Sequence, residues 1–163
     1  MFKSNTSIVK IDFTPFTGVK SMTGDPFQGC TNLEFVNMPP NLTSTGEVFQ
    51  GISKLKKVTI HEGYKTASYC LFEYVGGNLV LDLPSTLTSM NAQTFRASPI
   101  PKVTFVMRGN VGTFDPLKNT NLVTKIYVPD AYLSNYQTYL SGNGNLSKLA
   151  PLSQYTEKPW DEV

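Results

Sequence analysis

The chain has 163 residues, enough for one domain with a real core, and only 16% of them are charged. Asn, Thr, Ser, Gly and Pro take up the difference, a mix that suits short strands joined by many turns. A net charge of +2, with twelve Lys and two Arg against twelve acidic residues, is too small by itself to argue for a nucleic-acid protein, and no apolar run approaches the roughly 20 residues that span a bilayer.

From the N-terminus, MFKSNTSIVK has no apolar core of a signal peptide. Either the chain is not exported by that route or a leader lies outside this sequence. Next comes Ile8-Ile11-Phe13: apolar, two residues, apolar, one residue, apolar. The same template returns at Leu33-Val36-Met38, Leu55-Val58-Ile60, Asn78-Leu81-Leu83 (with Leu79 beside the Asn), Ile100-Val103-Phe105 and Val123-Ile126-Val128. The central residues 11, 36, 58, 81, 103 and 126 are 25, 22, 23, 22 and 23 apart. Phe27, Phe49, Phe72 and Phe95 keep a second phase of the same period, at intervals of 22, 23 and 23. Two phases with one period predict stacked coils.

Within a coil, the last two apolar residues of the template are two apart and share one face of a short strand. Proline follows at 15, 39, 84 and 129 and ends the strand. A second apolar pair comes next: Val19 and Met22, Tyr64 and Ala67, Leu87 and Met90. The Phe column is then expected to fill the inside of the turn into the next coil, and stacking buries rows that one coil cannot bury alone.

After the last template, Asp130 is placed to cap a helix starting near Ala131, with Tyr132, Leu133, Tyr136 and Leu140 on one face. Ser141-Gly142-Asn143-Gly144 ends it, and Leu146, Leu149 and Leu152 pack back as a cap on the last coil. The expected organisation is a solenoid over residues 1–129, a cap over 130–152 and a flexible acidic tail over 153–163. The seven or so residues before Ile8 offer too little to cover the first coil. Its edge, Ile8, Ile11 and Phe13, is therefore expected to meet further repeats of a longer chain, another partner or a second copy.

The phrases FQGCTNLEFVNMPPNLTS and NLVLDLPSTLTSMNAQTF, with the ending KIYVPDAYLSNYQTYL, resemble the BspA-like class of leucine-rich repeats. The resemblance covers roughly residues 8–152, departing at Gly51-Ile52-Ser53 and in the contracted FRASPIPKV. It implies a right-handed α/β-class solenoid, rich in β, of about six coils of 22–25 residues with a short C-terminal capping helix. It further implies a non-enzymatic adhesion or binding module at a cell surface or outside the cell. The ligand would be a host or neighbouring-cell protein or glycan, without cofactor, nucleic acid or membrane insertion. A structural spacer or assembly part, docking through the first coil, is the alternative.

Strand alternation then predicts the outward residues. Those before each central position are Lys10, Phe35, Lys57, Val80, Lys102 and Lys125, and those after it are Asp12, Asn37, Thr59, Asp82, Thr104 and Tyr127. The ligand face is expected on Lys10, Phe35, Lys57, Lys102, Lys125, Asn37, Asp82 and Tyr127. Such a row of Lys either receives an acidic glycan or an acidic protein patch, or keeps an exposed sheet soluble. No catalytic set is evident. His61, beside Glu62, is the one histidine; as a catalytic base it would need a nucleophile and an orienting partner, and Ser53 and Ser68 are candidates only by being present, so it reads as a turn histidine. Cys30 and Cys70 match no metal spacing and read as small buried thiols at turns, although a disulfide is possible.

Overall fold

A computed structural model describes residues 2–90, 93–95, 102–114, 123–142 and 144–163. Its backbone is a solenoid. Numbered along the chain, β1 (Lys10–Asp12), β3 (Phe35–Asn37), β5 (Lys57–Thr59), β7 (Asn78–Leu83), β9 (Lys102–Met107) and β11 (Val123–Val128) lie side by side in that order. All neighbouring pairs are parallel. The alternate strands are two residues long: β2 (Ser21–Met22), β4 (Ser44–Thr45), β6 (Thr66–Ala67), β8 (Ser89–Met90) and β10 (Thr113–Phe114). They pair into smaller parallel ladders, β2 with β4 and β6 with β8 and β10. A parallel pair needs a crossover, and here the rest of each coil supplies it.

The templates fill the space between these ladders. Val36, Val58, Leu81, Phe105 and Ile126 are buried, as are Met38, Ile60, Leu83, Met107 and Val128 two residues on. Tyr64, Ala67, Leu87 and Met90 meet them from the short-strand side. The Phe column stacks as expected, with ring centroids 5.8 Å apart for Phe27–Phe49 and 5.2 Å for both Phe49–Phe72 and Phe72–Phe95. Coil corners are tied by a repeated device, in which the Thr43 and Thr88 hydroxyls each donate to a carbonyl 23 residues earlier, at Lys20 and Lys65. Gly109 sits where one coil presses on the next, and a Cβ there would lie 2.4 Å from the Ser85 carbonyl oxygen. Cys30 and Cys70 are buried and not joined in a disulfide.

The structure departs from four of these expectations. First, the fifth coil is in register two residues later than its template suggested. Leu81 pairs with Phe105 and Phe105 with Ile126, so Phe105 is the central residue and Val103 takes the place of Leu79. Alternation alone allows either choice, because Val103, Phe105 and Met107 are all apolar. The six-residue ladder with β7 selects the later one, and an irregularity between Val123 and Lys125 absorbs the shortened interval that follows. Ile100, assigned to the first slot of this template, lies outside the described residues.

Second, the N-terminal residues do more than precede the first coil. Phe2 extends the Phe column, stacked on Phe27 at 5.8 Å, and backbone bonds from Phe2 N to Pro26 O (2.9 Å) and Ser4 N to Gln28 O (2.7 Å) hold the segment on the next turn. Phe13 is buried while Ile8 and Ile11 remain partly exposed. Beside them Phe16, Val19 and Met22 line a concavity of about 490 Å³ at this end of the solenoid.

Third, Asp130 does not cap the helix. Asp130–Tyr132 form a 3-10 turn, α1 runs Leu133–Leu140, and the Asp130 carboxylate accepts from Ser153 Oγ at 2.8 Å. Tyr136 and Leu140 are buried, Leu133 is half-buried, and Tyr132 is exposed. The buried Tyr136 hydroxyl donates to Gly109 O (3.0 Å) and accepts from Val111 N (3.2 Å), fastening the helix to the fifth coil. Of the three leucines expected to pack back, Leu149 opens a further strand, β12 (Leu149–Pro151), parallel to β11, while Leu146 stays exposed. Fourth, residues 155–161 of the expected loose tail lie across the outer face of the sheet, as described next.

Candidate functional site: the outer sheet face and its C-terminal strap

Pairing aligns the outward residues into two rows across the strands. The first is Lys10, Phe35, Lys57, Val80, Thr104 and Lys125, and the second is Asp12, Asn37, Thr59, Asp82, Val106 and Tyr127. The register shift in β9 thus replaces Lys102 by Thr104 in the first row and Thr104 by Val106 in the second. Lys102 remains exposed but pairs with Asn78, two residues upstream of the row.

The expected run of exposed lysines is broken at its centre. Lys57 is only 1% exposed, although it points out of the sheet between Phe35 and Val80. Its Nζ donates to the carbonyls of Lys158 (3.0 Å) and Pro159 (2.8 Å). The chain leaves β12 and returns over the sheet as a strap. Tyr155 places its ring 5.1 Å from that of Tyr127. Glu157 pairs with Arg108, and Asp161 accepts from Lys10 at 2.7 Å. The strap therefore crosses from β11 at one side to β1 at the other, on top of Tyr127, Lys57 and Lys10.

Arg108, at the end of β9, was not among the expected site residues. Its guanidinium holds Asp82 bidentately, Nε to Oδ1 and Nη2 to Oδ2, both at 2.8 Å, and turns its remaining N–H groups to Glu157. Bonds to the two carboxylates, Glu157 and then Asp82, hold Arg108 firmly in its charged form. Arg108 in turn holds the Glu157 carboxyl below the ordinary range, and the bond from Lys10 lowers that of Asp161. Burial pulls the Lys57 ammonium down, against the opposing attraction of Asp82 and Glu157.

The other expected residues lie around this strip. Phe35 is half-buried with the Lys56 ammonium 5.8 Å from its ring centroid, and Lys56 also pairs with Glu34 at 2.7 Å. Lys125 is half-buried on β11. Asn37 is nearly buried and bridges two neighbours: its Nδ2 donates to Asp12 Oδ1 (3.1 Å) and its Oδ1 lies 2.7 Å from His61 Nε2. With the amide oxygen accepting, His61 carries its proton on Nε2. The backbone N–H of Thr14 does most to keep the Asp12 carboxyl ionised, lowering its pKa. His61, Asn37, Asp12 and Thr14 thus form a ladder that joins successive coils at the strand ends. Ser68 hydrogen-bonds Thr45 and the Gly46 carbonyl.

Away from the sheet face, Glu47, Cys70 and Glu73 bring ligand atoms within 4.8 Å of one another, and Gln50 donates to Glu73 at 2.7 Å.

Residues 1–115 match, in six copies, the model of a family described as the BspA type leucine-rich repeat region. No curated protein matches the chain. Repeats of this family generally mediate protein interactions, are typically non-enzymatic and are associated with surface proteins. No described helix is long and apolar enough to cross a membrane. A match over more than half the length, on a backbone whose strands recur at the interval of the repeat, makes this chain a member of the BspA-type leucine-rich repeat family.

Proposed function

We propose that the chain is a non-enzymatic binding module of a cell-surface or extracellular protein, which recognises a protein or glycan of a host or neighbouring cell through the outer face of its sheet. The observation that carries this reading is the face itself. It is a continuous seven-stranded surface that carries cations (Lys10, Lys102, Lys125, Arg108) and aromatic rings (Phe35, Tyr127), and a peptide segment of the chain already lies across it. Aromatic and guanidinium groups are the side chains that carry most binding energy at interfaces. The test is binding to an immobilised panel of matrix proteins, mucins and polysaccharides at low and physiological salt. A saturable partner whose affinity falls with salt, and falls again in Lys102→Gln/Lys125→Gln, is the expected result. Saturable binding that this double variant leaves unchanged removes the sheet face as the site.

A second reading is favoured by one feature, the apolar concavity at the first coil lined by Phe2, Ile11, Phe13, Phe16, Val19 and Met22. In that reading the module is an assembly part that docks through this end, beside the free edge of β1. Its test is mass in solution: an oligomer that dissociates in Ile11→Glu supports it, and a monomer at all concentrations removes self-association.

A further inference from the structure

We propose that the strip beneath the strap is a receptor for a short acidic peptide segment of another protein, and that residues 155–161 of this chain occupy it in cis. The proposal rests on the reading of the outer face as the binding surface and specifies what that face takes.

The strip has the components of a peptide groove. Tyr127 is an aromatic shelf for the Tyr155 ring. Arg108, braced by its two bonds to Asp82, presents its free N–H groups to a carboxylate two residues further on. Such a fork selects a carboxylate by geometry as well as charge. Lys57 donates to two successive backbone carbonyls, a contact any sequence can make. Lys10 takes a second carboxylate, four residues after the first. The recognised pattern is an aromatic residue, a carboxylate at +2, backbone carbonyls at +3 and +4, and a carboxylate at +6 presented from a turn closed by Glu162 N to Pro159 O (3.1 Å).

The contrast in burial separates a receptor from a structural brace. Much of the strap is exposed: the Glu157 side chain is 62% exposed, Lys10, which holds Asp161, is 60% exposed, and Thr156, Lys158 and Pro159 are exposed as well. Exposed ion pairs of this kind are individually weak and yield to competition. Beneath them Lys57 is 1% exposed, an ammonium held out of water between Phe35 and Val80. A sheet built only to be covered would be better served there by an apolar side chain. With the strap displaced, the amine is left pointing from an apolar shelf toward whatever backbone replaces it. The strap is thus a built-in competitor, and a partner binds at a strength reduced by the fraction of molecules whose strip is already filled.

The experiment uses the full chain throughout. A fluorescein-labelled peptide with the sequence of residues 153–163 is titrated by anisotropy against three proteins: the wild type, a strap-weakened Glu157→Gln/Asp161→Asn variant, and that variant carrying Arg108→Gln as well. The expected result is binding at least about tenfold tighter to the strap-weakened chain than to wild type, with the gain lost on Arg108→Gln. A peptide with its two corresponding carboxylates neutralised should bind none of the three. As a second measurement, the peptide with Phe in place of its Trp should raise acrylamide quenching of Trp160, the one Trp of the chain, in the wild type. If the strap-weakened protein melts like wild type yet binds the peptide no more tightly, the proposal is overturned. If this happens while a panel ligand still depends on Lys102 and Lys125, the strip proposal alone has failed and the sheet face stands. If the panel ligand also ignores those lysines, both readings fail together.

Discussion

Phe72→Ala gives a direct test of what holds the coils in register. Phe72 is fully buried and is stacked on both sides, on Phe49 at 5.2 Å with planes 4° apart and on Phe95 at 5.2 Å and 15°. Removing a buried phenyl ring costs about 3–5 kcal/mol, and two aromatic pairs at about 0.5–1.5 kcal/mol each are part of that loss. For a domain of this size the melting temperature should fall by roughly 6–20 °C, at about 2–4 °C per kcal/mol. Phe2 is the internal control. It ends the same column, is only half-buried, and has one parallel neighbour, Phe27. Phe2→Ala should therefore cost about 1–2 kcal/mol, near the transfer term for a partly exposed ring. Because each coil touches only its neighbours, the central substitution should also loosen the coupling between the two ends. The assay is urea unfolding followed by circular dichroism. A cost for Phe72→Ala below about 1 kcal/mol, or equal costs at the two positions, would refute the argument that the stacked column is the spine of the solenoid.

Gly109→Ala should destabilise by about 2 kcal/mol or more, because its Cβ would meet the Ser85 carbonyl oxygen at 2.4 Å, whereas Gly142→Ala, with nothing within 4 Å, should stay within roughly 0.5 kcal/mol; thermal melts of the pair check the difference. Tyr136→Phe strips the buried N–H of Val111 and C=O of Gly109 of their partner and should cost about 1–3 kcal/mol, with the loss seen first in the helix signal. Acid should release the strap. The Glu157 and Asp161 carboxyls have lowered pKa values when paired, so the attachment is at full strength above their free values, about 4, and is lost as pH falls through the lower paired values. Acrylamide quenching of Trp160 should accordingly be constant from neutral pH to about 5 and rise below 4, and a flat profile down to pH 2.5 would mean these carboxylates do not hold the strap.

Much of the fold was legible because it is written in local order. Apolar residues at template spacing, a Phe in a second phase and a proline after each strand are all short-range features, and stacking is the one way such coils bury their apolar rows. Phe2 lay within reach of the same reading, since it precedes Phe27 by 25 residues, the interval that separates Ile11 from Val36. The weak point was the fifth coil, where apolar side chains at 103, 105 and 107 satisfy alternation in two registers. The capping helix was visible as a face of Tyr136 and Leu140, but Asp130 had two possible partners, the helix N-terminus and Ser153, and took the second.

By itself, then, the sequence determined the period, the inward rows, the Phe column and the family, because each depends on neighbours within one coil or one repeat. The site required the tertiary structure. Arg108 joins Asp82, 26 residues away, to Glu157, 49 residues away; Lys57 is closed over by carbonyls 101 and 102 residues downstream; Lys10 meets Asp161 across 151 residues. No period links those positions. They meet because the chain, once past β12, turns back across the outer face of the sheet, where a short acidic segment finds cations and an aromatic ring already arranged across the strands.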